Sequence, residues 1–144
     1  MIMCRRRVWL LVDSRQKDLS DYRLSQAEDS IKVAKMSYES SLFKDSINRS
    51  YYAAFYSIKA VLALEEVDFK RHKDVIGYFN KTYVATDKFP RDLGRKIGML
   101  KQLREKSDYD DFYIAGKEEA ELQIETAMLM IAEVKRYVAV NSTD

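Results

Sequence analysis

The stretch from about Asp45 to Leu64 constrains this chain most, because it is apolar or aromatic almost all the way round a helix. Ile47, Tyr51, Ala54, Phe55, Ile58, Val61 and Leu62 recur at spacings of three and four and share one face. Tyr52, Ala53, Tyr56, Ala60 and Ala63 occupy the other side. A helix with so little polar surface has to be covered from several directions. It is predicted to be the central helix of a bundle, buried by its neighbours and in part by a second subunit.

The rest of the chain supplies those neighbours. Leu24, Ala27, Ile31, Ala34 and Tyr38 line one face of a helix over roughly 21–40. A shorter amphipathic segment over about 72–83 carries Val75, Ile76, Phe79 and Tyr83, and Pro90 suits the first turn of a helix over about 91–106. The polar run S-D-Y-D-D-F-Y-I-A-G reads as a turn closed by Gly116. A last helix over about 117–139 follows, with Leu122, Ile124, Ala127, Met128, Ile131, Val134 and Val138 at helical spacing. Four glycines and one proline in 144 residues are too few for a succession of short strands and turns, so the fold class is all-α. No repeat or linker divides the chain. Residues 19–140 are expected to form the one helical domain, 1–18 a flexible basic extension, and 141–144 a disordered tail.

Charge narrows the function. The formal net charge is +2, and the first twenty residues carry Arg5, Arg6, Arg7, Arg15 and Lys17 against Asp13 and Asp18; without them the chain has 20 basic and 21 acidic side chains. A neutral domain lacks the broad basic footprint that tight duplex DNA binding needs, so no duplex DNA is expected and any nucleic-acid contact must be local. One cysteine, Cys4, and one histidine cannot assemble a structural zinc site or an internal disulfide, which suits a reducing cytoplasm. The apolar run Val8 to Val12 is far too short for a signal sequence or a membrane span. Neighbouring aspartates in a loop such as Asp108, Asp110 and Asp111 rarely converge on one ion, so neither a metal nor a cofactor is expected.

A few polar side chains stand out against the helical pattern. Leu93, Ile97, Leu100 and Arg104 form one stripe, which puts a permanently charged guanidinium where a core residue belongs. It must either line a polar cleft or find a carboxylate, with Asp108, Asp110 and Asp111 at hand, or cap the end of its helix. Asn48 lies at the edge of the apolar face of the central helix, one turn before Tyr52. Arg49 beside it faces a partner surface or the solvent of a first helical turn. His72 is the only side chain whose unperturbed pKa suits proton transfer near neutrality, unless it is simply exposed at the start of its short helix. No phosphate-cradling glycine loop and no hydrolytic triad is present.

Four stretches in order, Y-R-L-S-Q-A-E-D-S-I, N-R-S-Y-Y-A-A-F-Y-S-I-K-A-V-L, H-K-D-V-I-G-Y-F and L-R-E-K-S-D-Y-D-D, resemble the short stand-alone HEPN-domain proteins of bacteria and archaea, of the UPF0332 type. The resemblance covers Leu19 to Val138. It implies an up-and-down bundle of four to five helices, usually a homodimer, encoded beside a minimal nucleotidyltransferase as a toxin–antitoxin pair. Active members are metal-independent ribonucleases with an arginine followed four to six residues later by a histidine, completed by a polar residue near the start of the second helix. In the dimer the two copies face one another across a cleft. On this chain the arginine is Arg104 and the polar residue Asn48.

The motif histidine is missing here. The positions four to seven residues after Arg104 are Asp108, Tyr109, Asp110 and Asp111, and Tyr109 stands nearest to where a histidine or its associated tyrosine would be. A tyrosine with a pKa near 10 is a poor base at neutral pH, although its hydroxyl can orient a phosphate. The resemblance therefore implies a HEPN component of a toxin–antitoxin pair that binds RNA or a nucleotide phosphate around Arg104, Asn48 and Tyr109, with Arg49, Asp108 and His72 as accessory residues. It leaves ribonuclease activity open. It also allows Tyr109 to be the site where the partner enzyme attaches nucleotides. The other reading is a non-catalytic adaptor, or nucleotide-binding partner, of the nucleotidyltransferase.

Overall fold

The computed structural model describes the backbone of residues 2–141 and the side chains of residues 14–141. Five α-helices run in the order α1 (Ile2–Glu39), α2 (Phe43–Ala63), α3 (His72–Phe79), α4 (Asp92–Tyr109) and α5 (Lys117–Asn141), and a wide π-type turn (Asn80–Val84) extends α3. No strand occurs among the described residues. The all-α expectation therefore holds.

The apolar circumference of α2 dictates the arrangement. It packs against α1, α5, α4 and α3, and Ile47, Ala53, Ile58, Ala60 and Val61 are fully buried. Small residues let it approach α1: Ala27, Ala34 and Ala53 share one apolar cluster with Ile124, Ala127 and Ile131 of α5. The buried hydroxyl of Ser46 donates to the carbonyl of Ala34 at 2.8 Å, which satisfies a polar atom that would otherwise be costly inside. Above this layer Phe79 stacks on Tyr83, and Phe89 meets Phe79 at a tilt and Tyr83 edge-on, beside Tyr137.

Several boundaries differ from those the sequence suggests. The helical backbone of α1 starts at Ile2, not near 21, so it continues through the segment read as a separate extension; Gln16 and Ser20 in its lower part are buried. Of the tail expected to be disordered, Asn141 ends α5, and 142–144 lie outside the described residues. Leu122 and Met128 are exposed, not core, because the buried stripe of α5 runs through Ala120, Ile124, Ala127, Ile131, Val134 and Val138. The largest consequence for the site is at α4. It runs on to Tyr109, so the S-D-Y of the supposed turn forms the helix's last turn. Asp108 is thereby placed one helical turn beyond Arg104, where i,i+4 partners meet.

The first three connections reverse without glycine. Ser41, Glu66 and Asp87 adopt positive φ of 61°, 55° and 62°, and the backbone N–H groups of Leu42 and Val67 return to the carbonyls of Ser37 and Leu62 to close α1 and α2.

Candidate functional site

The second and third turns of α2 and the end of α4 meet at Arg104, with the start of α3 beside them. The stripe that put it among core positions is real, since Leu93, Ile97 and Leu100 are buried and the Arg104 side chain is only 17% exposed. Its Nη2 donates to the Tyr52 hydroxyl at 3.0 Å. Nε lies 3.0 Å from Asp108 Oδ2, yet its N–H finds no acceptor in good alignment, so that contact is an ion pair and not a directed hydrogen bond. The guanidinium carbon sits 5.1 Å from the ring centre of Tyr51, 5.4 Å from Tyr52 and 6.0 Å from Tyr109. Cation–π attraction of about 0.5–2 kcal/mol per good contact helps offset the burial of its charge. Burial works against that charge, but Tyr52, Asp108, Tyr51 and Tyr109 more than compensate and hold its pKa above the ordinary value.

Asn48 joins the two helices electrically. Its Nδ2 donates to both oxygens of Asp108, at 3.2 and 3.1 Å. Its Oδ1 accepts from Nε and Nη2 of Arg49, at 3.0 and 2.8 Å. The Arg49 guanidinium lies 4.9 Å from the Tyr52 ring centre. A single row of contacts thus runs from Arg49 through Asn48 and Asp108 to Arg104.

His72 enters from the far side of the tyrosines. Its Nδ1 is 3.1 Å from the Tyr51 hydroxyl, and its ring stacks on Phe55 at 4.0 Å and meets Tyr52 edge-on at 5.9 Å. Burial, then the positive charges of Arg104, Lys59 and Lys101, lower its pKa below the ordinary value, so the imidazole is neutral at pH 7. Burial pushes the Tyr51 hydroxyl up to about 12 against the opposing pull of Arg104. Tyr51 and Tyr52 therefore separate the arginine from the histidine while touching both.

The residues singled out from the sequence are brought together, with one difference in degree. Arg104, Asn48, Arg49 and Asp108 form one contiguous network and His72 adjoins it, whereas Tyr109 is 75% exposed and reaches Arg104 only across the face of its ring. Sequence reasoning missed Tyr51 and Tyr52 as site residues. The signal was present: they follow Asn48 by three and four residues, one turn along the same helix. An open groove beside Arg104 is lined by Gln102, Glu105, Lys106, Tyr109 and Asp110. A more enclosed pocket lies at the other end of α2, among Arg15, Gln16, Leu19, Lys59 and Val67. None of the expected site residues reaches it.

Chemically, the arrangement offers a fixed guanidinium and an amide that can hold an oxyanion, and Asp108 already supplies one. It also offers a neutral imidazole behind two tyrosines. No described helix is long and apolar enough to cross a membrane.

Comparison with known proteins gives a consistent result. The HEPN domain family matches residues 20–137. "Putative toxin MJ0142" of Methanocaldococcus jannaschii is 27% identical over 128 residues, covering 89% of this chain and 87% of that protein. "Putative toxin MJ0605" of the same organism is 34% identical over 110 residues, covering 76% and 81%. The crystal structure of ST0689, an archaeal HEPN homologue, superposes with a TM-score of 0.67 at 17% identity, covering 83% of this chain and 97% of that one. At that identity it is a likeness of fold.

Proposed function

This chain belongs to the HEPN domain family, and on that premise we propose that it is the HEPN component of a toxin–antitoxin pair whose Arg104 site binds the phosphate of an RNA or a nucleotide. The observation that carries the reading is Arg104 itself. A guanidinium is costly to bury, and this one is held at 17% exposure against three tyrosine rings and a carboxylate beside an open groove. The names of the two archaeal relatives support the toxin assignment, and the partner would be a minimal nucleotidyltransferase, with the dimer cleft of the family formed by two copies.

Binding is better supported than cleavage. Metal-independent RNA cleavage needs a base for the 2′-hydroxyl and an acid for the leaving oxygen as well as charge stabilisation. Arg104 fills the last role, and the one imidazole stands behind Tyr51 and Tyr52.

The test is growth of cells expressing this chain without a partner, beside an Arg104→Ala version matched for soluble protein. Arrest by the unaltered chain that disappears with Arg104→Ala is the expected result. Equal arrest by both versions would remove Arg104 from the mechanism, and no arrest by either would sink the autonomous toxin.

In that last case a second reading has its own support. Tyr109 is 75% exposed at the end of α4, open to a partner enzyme, which suits a HEPN adaptor that accepts a nucleotide on its hydroxyl. Intact-mass measurement after incubation with the nucleotidyltransferase and a nucleoside triphosphate, with Tyr109→Phe as control, decides it.

A further inference from the structure

We propose that Arg49 is a second phosphate-contacting residue of the Arg104 site, so that the site takes ligands carrying two adjacent phosphate groups; the inference rests on the phosphate-binding reading above. The two guanidinium carbons lie 4.9 and 5.4 Å from the centre of one ring, that of Tyr52. Although they come from α2 and α4, both sit against the same ring and are linked through Asn48 and Asp108.

Arg49 is half-buried and held in place. Its Nε and Nη2 both donate to Asn48 Oδ1, and the Asn48 amide is itself fixed by donating to the two Asp108 oxygens. A long surface arginine ordinarily gives up side-chain entropy when it grips a ligand. Here most of that ordering has taken place before the ligand arrives, as in any preorganised site.

Charge fits the same reading. Along the row Arg49, Asn48, Asp108 and Arg104 the signs are positive, neutral, negative and positive; the carboxylate of Asp108 pairs with Arg104, and Arg49 has no carboxylate partner among the described residues. Asp108 shows where an oxyanion sits in this frame, between Asn48 Nδ2 and the edge of Arg104. The internal bonds use Nε and Nη2 of Arg49 and Nη2 of Arg104, which leaves Nη1 of each guanidinium without an internal hydrogen bond. A lone phosphate can be gripped by one such group. The second is then available to another phosphate that follows close by, as along a single RNA strand or in a nucleoside diphosphate. Outside its first twenty residues the chain has 20 basic and 21 acidic side chains, so phosphate affinity there has to be local.

The experiment uses the full chain and three probes: AMP, ADP and single-stranded pentauridylate. The unaltered protein should bind ADP about tenfold more tightly than AMP, the scale of one added charge-assisted contact. Pentauridylate affinity should fall with salt with a logarithmic slope of about −1.4, since each single-strand phosphate contributes about −0.7. Arg49→Gln should abolish the preference for ADP and halve the slope, while Arg104→Gln should weaken all three probes. Arg49→Lys keeps the charge without the fork and should retain the slope but lose part of the preference, which separates contact from misfolding. A preference confined to ADP identifies a nucleotide as the source of the paired phosphates; a slope confined to pentauridylate identifies RNA. If Arg49→Gln leaves both measures intact while Arg104→Gln abolishes binding, Arg49 is no phosphate ligand. If the unaltered chain binds none of the probes, the phosphate-binding reading itself fails.

Discussion

The Nδ2 amide of Asn48 donates to both carboxylate oxygens of Asp108 and so ties the second turn of α2 to the last turn of α4. Asp108 stands where a carboxylate is disfavoured, at the negative end of its own helix. Its contacts with Asn48 and Arg104 are what hold it there.

If that account is right, Asn48→Ala and Asp108→Ala should not be additive. Each removes the same link, so a double-mutant cycle on urea unfolding should give a coupling of about 0.5–1 kcal/mol for this partly exposed pair. The last turn of α4 should also lose hydrogen-exchange protection in either single variant. Additivity within about 0.3 kcal/mol would show the pair to be incidental.

His72 supplies a pH prediction that can be read directly, because it is the only histidine in the chain. Burial, followed by Arg104, Lys59 and Lys101, lowers its folded pKa beneath the ordinary 6.5. Between the two values the unfolded chain holds a proton that the folded chain does not, so stability rises with pH across that window. The contribution is complete above 6.5 and is lost as pH falls through the folded value. An NMR titration of the imidazole should give a midpoint below 6.5. Arg104→Ala should move it upward only part of the way, since burial is the larger cause. A midpoint at or above 6.5 in the unaltered protein would mean that the imidazole is not buried near Arg104, Lys59 and Lys101 in solution.

The aromatic layer above α2 gives the largest stability effect. Phe79 is fully buried and packs at 5.5 Å on Tyr83 and at 5.0 Å on Phe89. Phe79→Ala should cost about 3–5 kcal/mol, the usual loss for a buried phenylalanine. A domain of this size commonly has only about 5–15 kcal/mol to lose. Denaturant titration measures it, and a loss under about 1 kcal/mol would mean that the π-type turn after α3 repacks freely.

Much of this organisation is legible in the sequence because helix faces are periodic. The burial of α2 and the stripe ending at Arg104 follow from spacing alone, and the stripe singles out the arginine before any contact is known. What spacing does not supply is where helices stop. Ser41, Glu66 and Asp87 take the left-handed positions that glycine usually marks, so the α1, α2 and α3 ends carry no conventional signal. At α4 the aspartates of S-D-Y-D-D look like turn formers. Asp108 nevertheless stays helical because its carboxylate meets Asn48 across 60 positions of sequence. The same non-local pairing hid Tyr52. Its spacing from Asn48 places it on the right face, but its hydroxyl has a role only once Arg104 arrives from another helix. Leu122 and Met128 were misread for a simpler reason: apolar residues on exposed helix faces are common, and hydrophobicity at roughly helical spacing does not by itself mean burial.

Arg104→Lys tests whether charge or shape matters at the site. The guanidinium spans a tyrosine hydroxyl on one side and a carboxylate on the other, and its flat face lies among three aromatic rings. A lysine ammonium keeps the charge but is a point donor on a flexible stem and cannot satisfy both partners at once. Were the site to need only positive charge, the lysine variant would arrest growth as the unaltered chain does. On the geometry here it should behave like Arg104→Ala in growth, while its salt-bridging charge keeps its melting temperature nearer to that of the unaltered protein. Growth arrest by the lysine variant at matched soluble levels would overturn the argument from shape and leave charge alone as the working feature of Arg104.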